Sequence, residues 1–297
     1  LDPQHSVPVN VRAIAANRRL GTIASAKRIS GFLATPNLSR ALRVEALYAL
    51  QSWPQASTLD PIDGRYFPIP AGDLDTLSAA IGPEIWSLAN DADDKVSRRA
   101  ISVLQSIKPS KAQRDQVAGF VLDEGQRSTV RKAWLRWLRK QDLALFTSVG
   151  VKALYSKSPE LRVVAAQELT EAKQGRSAVN SYLLATLKNS GDTVELQRAI
   201  KMVPRLPSKK SIIEQLVKEL IAGRIAPDIQ LEVLETATTA TRDYTELKLQ
   251  LEQYQNSINK EDVMARYGVA LQGGNAEKGR GIFFGHAQAQ CSKCHAL

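Results

Sequence analysis

Apolar residues recur at i, i+3, i+4 and i+7 from Val9 to about Ala270, and Gly, Pro, Asn and Asp collect in the short gaps between the runs. This is the pattern of amphipathic helices, and the alternation that a half-buried strand needs is almost absent. In Leu42-Arg43-Val44-Glu45-Ala46-Leu47-Tyr48-Ala49-Leu50, the residues Leu42, Ala46, Ala49 and Leu50 share one face while Arg43 and Glu45 fall away from it. The same arrangement of an aliphatic residue, an arginine and a small residue returns at Val9 to Ala13, Val96 to Ala100, Thr129 to Ala133, Leu161 to Ala165, Glu195 to Ala199 and, more weakly, Ile229 to Val233. Most copies are about 32 to 34 residues apart, the period of a repeated helical hairpin. Second helices, such as Leu143 to Leu154 and Ser211 to Ala222, fall between them. The pattern predicts an all-α solenoid over residues 1–270, in which each hairpin hides its apolar face by stacking on its neighbours.

One interval is too long, with about 54 residues between Ala46 and Ala100. The excess holds Pro54, Pro61, Gly64, Pro68, Pro70 and Gly72, which predicts an irregular insertion over about 54–75. Asp60, Asp63, Asp73 and Asp75 raise the question of calcium, but they lack EF-hand spacing, and a solvated, proline-stiffened loop is the expectation.

Composition narrows the classes. With 297 residues, 43% hydrophobic and 24% charged, the chain is globular rather than disordered. No run approaches the roughly 18 to 20 apolar residues of a membrane span. The chain opens at Leu1 without a methionine or a signal segment and stops two residues after His295, so it is read as a fragment truncated at both ends. A formal charge of +10 favours acidic partners.

The candidate chemistry lies at the C-terminal end. Gly273-Gly274-Asn275 breaks the last repeat helix, and Asn275 can cap a new helix from Ala276, on which Gly279 and Phe283 share a face open to close approach by another helix. The chain's two cysteines then stand in Cys291-Ser292-Lys293-Cys294-His295, which excludes a disulfide framework. Two thiols at this spacing can each add to one vinyl group of a porphyrin, with His295 placed under the iron, so C-x-x-C-H reads as a covalent haem c site. A zinc site drawing on His286 and His295, a thioredoxin-like dithiol and a pair of unrelated surface thiols are the competing readings.

The repeat period and the arginine-plus-alanine signature resemble HEAT repeats over roughly Leu1 to Val269. The run from Gly273 to Phe284 followed by C-x-x-C-H resembles the opening of cytochrome c domains. Together they resemble the bacterial haem-binding proteins of the PVC type, in which such an array lies between a sugar-dehydrogenase-like β-propeller and a C-terminal cytochrome c. The resemblance implies electron transfer through haem c held by Cys291, Cys294 and His295. It also implies a periplasmic or otherwise exported location and a redox partner or fused sugar or alcohol dehydrogenase domain, with the array as scaffold. One departure stands out: the distal methionine of such domains follows the motif, whereas Met202 and Met264 precede it. The distal ligand is therefore expected in residues outside this chain.

An active site within the array is not expected. His5 stands alone, and Glu45, Glu168 and Glu232 are read as exposed helix positions. The rival to electron transfer is a basic protein-interaction or nucleic-acid scaffold, because Lys132, Arg136 and Lys140 share a helix face beside Trp134 and Trp137, and some HEAT-like proteins are DNA glycosylases. Nucleic acid is disfavoured, because the two indoles straddle the side expected to pack on the next repeat.

Overall fold

The computed structural model describes residues 1–206, 208–258, 261–272 and 276–295, with the side chains of 263, 266 and 276–278 left aside. The chain is mostly helical and forms two compact units, Leu1–Gly175 and Arg176–Leu297. The expected boundary near residue 270 thus falls inside the second unit. Among the described residues, no helix is long and apolar enough to cross a membrane.

In the first unit, α1 (Val7–Leu20), α2 (Ile23–Leu33) and α3 (Arg40–Gln51) are followed by a short sheet and then α4 (Leu74–Ala80), α5 (Pro83–Leu88), α6 (Asp94–Leu104), α7 (Lys111–Leu122), α8 (Ser128–Gln141), α9 (Leu143–Ala153) and α10 (Pro159–Glu171). Helix starts follow local side-chain chemistry. Thr22 and Ser110 form capping boxes with Ser25 and Gln113, and Ser39, Asp73, Asp93, Asp142 and Ser158 each accept a backbone N–H of the first turn. Alternate helices make a row, with α1 against α3, α3 against α6, α6 against α8 and α8 against α10. The other helices lie alongside, α2 against α4 and α5, and α7 against α9.

Of the alanines that marked the repeats in this unit, Ala46, Ala100 and Ala165 are buried, so backbones approach closely there, whereas Ala13 and Ala133 are half-buried. The core centres on Trp134 and Trp137, both fully buried, with Trp86 against them. Their ring centroids lie 5.5 to 6.0 Å apart, in one stacked and two edge-to-face pairs. Ion pairs tie neighbouring helices of the row: Arg40 to Asp93, Arg43 to Asp91, Arg127 to Asp94 and Lys132 to Glu160.

Two expectations are corrected here. The insertion is not wholly irregular, because Ser57–Leu59 (β1) and Tyr66–Ile69 (β2) pair as an antiparallel hairpin. Its Asp residues serve local structure: Asp60 pairs with Arg19, Asp63 accepts the Arg65 N–H, and Asp73 caps α4. The hairpin is fastened by Arg18, 5% exposed, whose guanidinium donates to the carbonyls of Ser52, Gln55 and Pro70 and lies 5.3 Å from the Trp53 ring centroid. Gly72 closes the loop on the same indole, where a Cβ would sit 2.4 Å from Trp53 Nε1.

Nor are the repeat carboxylates exposed. Glu168 and Glu232 are buried and Glu45 is half-buried. Glu168 is compensated by Arg136 at 2.8 Å and Arg139 at 2.6 Å from the neighbouring helix, and Glu232 by Lys201 at 3.4 Å. Burial raises the Glu45 carboxyl, and the charge of Arg99 works against that.

The second unit holds α11 (Arg176–Asn189), α12 (Thr193–Met202), α13 (Lys209–Ile221), α14 (Gln230–Ala240), α15 (Thr245–Ser257), α16 (Val263–Tyr267) and α17 (Ala276–Gly285). Ile213, Val217, Ala237, Leu247 and Leu251 form one cluster, and Ile200, Leu220 and Val233 another. The periodic alanine Ala199 is buried, as in the first unit.

Candidate functional site

The site is built by α17 and the turn after it. The Gly273-Gly274-Asn275 break, with its proposed cap, lies outside the described residues. Along α17 the apolar side chains are not put away: Ile282 is 56% and Phe284 55% exposed, while Phe283 is half-buried. The two phenylalanine rings meet edge to face at 5.0 Å, and the Arg280 guanidinium lies 5.3 Å from the Phe284 centroid. Nothing described stands within 4 Å of where a Cβ on Gly279 would be. The close approach expected at that glycine is not made by any described element.

After Gly285 the chain turns through 286–290 and enters a single 3-10 turn, Cys291–Lys293. The Cys294 N–H donates to the Cys291 carbonyl at 3.2 Å, and the His295 N–H donates to the same carbonyl at 3.0 Å. One acceptor therefore gathers the whole motif, so the three residues singled out from the sequence sit together in one tight turn. Both cysteines are free thiols, Cys291 half-buried and Cys294 exposed, and His295 is exposed.

This donor set fits a covalently held haem. Such a group brings its own ring nitrogens, so the protein would supply the two thiols and an imidazole rather than a full cage of side chains. The turn offers the two free thiols and the adjacent imidazole that the attachment requires. Zinc asks for four protein ligands, and near the two cysteines the sequence offers only His286 and His295, the latter directly adjacent to Cys294. The imidazole Nδ1 of His286, one of the two histidines of the zinc reading, accepts the Ala289 N–H at 3.0 Å. Of the methionines, Met202 is packed in the core and Met264 is exposed.

The basic stripe on α8 is largely engaged within the fold. Lys132 pairs with Glu160, Arg136 with Glu168, and Lys140 donates to Gln105. With Trp134 and Trp137 fully buried, no indole of this helix is free to stack on a base.

Sequence reasoning missed two features of the site: the exposure of Ile282 and Phe284, and the part His286 plays in the turn. The His286-to-Ala289 spacing was the only signal for the second. The chain was compared with family models, curated proteins and solved structures, and none of the three gave a match.

Proposed function

We propose that the chain belongs to an exported electron-transfer protein in which residues 271–297 open a cytochrome c domain and the preceding helical pairs are a HEAT-like solenoid that serves as its scaffold. The observation that carries this reading is the C-x-x-C-H turn, with both thiols free and the side chains of Ile282 and Phe284 uncovered on the helix that leads into it.

In this reading Cys291 and Cys294 would hold the group through thioether bonds, each made by adding S–H across a vinyl double bond with no net oxidation, and the imidazole of His295 would supply a nitrogen ligand to the iron. Bound haem c contributes one-electron transfer at the iron. The chain's own part is to fix the group covalently, ligate it from one side and cover it with apolar surface. Haem c attachment places the working compartment outside the cytoplasm. The net charge of +10 favours an acidic redox partner or fused dehydrogenase domain, met by electrostatic steering that weakens with salt.

The test is spectroelectrochemistry on the chain matured with haem. The unchanged chain is expected to show reversible reduction, and His295→Ala to keep covalent haem while changing its axial ligation and shifting its potential. A His295→Ala chain with unchanged spectrum and potential contradicts the assignment of His295.

A further inference from the structure

We infer that His286 is a positioning residue for the attachment motif, its imidazole folding the turn that delivers Cys291. The inference rests on the haem reading above.

The chain has to reverse between the end of α17 at Gly285 and Cys291, and it does so with little packing to hold it, because residues 284–290 are all exposed. Hydrogen bonds do the work instead, and His286 takes part in three of them. Its N–H donates to the Ile282 carbonyl at 2.9 Å and continues the helix, while its carbonyl accepts the Gln290 N–H at 3.0 Å. Its Nδ1 accepts the Ala289 N–H at 3.0 Å. A side-chain acceptor that captures a nearby backbone N–H is how Asp, Asn and Ser shape turns, and here an imidazole does it.

A second, independent feature marks the same turn. Gln290 is left-handed, at φ 45 and ψ 39, one of few residues other than glycine with a positive φ, and it immediately precedes Cys291. A side chain is seldom found in this conformation unless its surroundings fix it. The imidazole holds the N–H of the preceding residue, Ala289, the His286 backbone carbonyl accepts the Gln290 N–H, and after the reversal the Gln290 carbonyl accepts the Lys293 N–H at 2.9 Å, inside the motif. His286 thus connects the helix bearing Ile282 and Phe284 to the turn bearing the thiols. It sets where Cys291 and Cys294 stand relative to that apolar surface.

The experiment uses the full chain in three forms: unchanged, His286→Ala and His286→Asn, whose Oδ1 can accept in place of Nδ1. Amide exchange by NMR on the haem-free chain reads the turn. The Ala289 N–H is expected to exchange roughly fivefold faster in His286→Ala, the value of one net hydrogen bond, and to be restored in His286→Asn. After haem maturation, the pyridine haemochrome band and the intact mass read how many thioethers form. The unchanged chain and His286→Asn are expected to be doubly linked and His286→Ala to contain singly linked adducts. A His286→Ala chain as fully doubly linked as the unchanged one overturns the positioning role, and so does an Ala289 amide that exchanges no faster. Absence of haem from the unchanged chain is a different result, and it overturns the electron-transfer reading on which this role rests.

Discussion

Trp134 and Phe284 are both aromatic residues on amphipathic helices, and they meet opposite environments. Trp134 on α8 is fully buried, stacked on Trp86 and flanked edge-on by Trp137. Phe284 on α17 keeps 55% of its surface exposed, and among the described residues Phe283 and Arg280 are its ring neighbours. In the first unit each helix of the row α1, α3, α6, α8 and α10 buries a face against the next and pairs inward charges there, while Leu20 and Tyr155 stay exposed. The C-terminal helix leaves apolar side chains open directly before two free thiols. Apolar surface held beside reactive groups is what a prosthetic group would cover, which is why this contrast bears on function as well as on packing.

The contrast can be broken most forcefully at the tryptophans. Trp134→Ala is expected to destabilise the chain by about 3 to 5 kcal/mol, the usual cost of a large cavity at a buried aromatic, measured by denaturant unfolding. A cost near zero would mean that the array is not held by this cluster.

A second test concerns the charges of the array. Arg131, buried on α8, donates to both oxygens of Glu124 at 2.8 and 3.0 Å, and this holds the Glu124 carboxyl at about 2, well below its ordinary 4.5. The folded state therefore binds the proton more weakly than the unfolded chain. The stabilisation from this group is complete above pH 4.5 and is lost as pH falls towards 2. Glu124→Gln is expected to lower stability at neutral pH and to flatten this part of the acid limb, read from unfolding midpoints between those two pH values. An acid limb identical in both proteins contradicts the role given to Arg131.

The smallest effect is expected on the other side of the comparison. Phe284→Ala in the haem-free chain should change stability by less than about 0.5 kcal/mol, as an exposed position does. In the haem-loaded chain the same change should perturb the haem spectrum. A large loss of stability without haem would mean that Phe284 is already covered.

The helices were legible in the sequence because a helix packed on a neighbour must bury one face, and Ala46, Ala100, Ala165 and Ala199, read as small residues at such contacts, are all buried. The C-x-x-C-H motif was legible because its chemistry depends on spacing alone. Glu168 was not, since its partners Arg136 and Arg139 lie 32 and 29 positions away and are brought to it only by stacking of α10 on α8. The β1–β2 hairpin escaped notice because its strands are only three and four residues long and one contains Pro68. Phe284 reads as core in any periodicity argument, and only a structure reveals that nothing described covers it.

The most direct test of the central claim is the mass and pyridine haemochrome spectrum of the chain after expression with a haem c maturation system, alongside the Cys291→Ala/Cys294→Ala double variant. The account predicts one haem per unchanged chain, retained through denaturation, and none in the variant. An unchanged chain that matures without covalent haem, in a system that loads a control cytochrome, would contradict it.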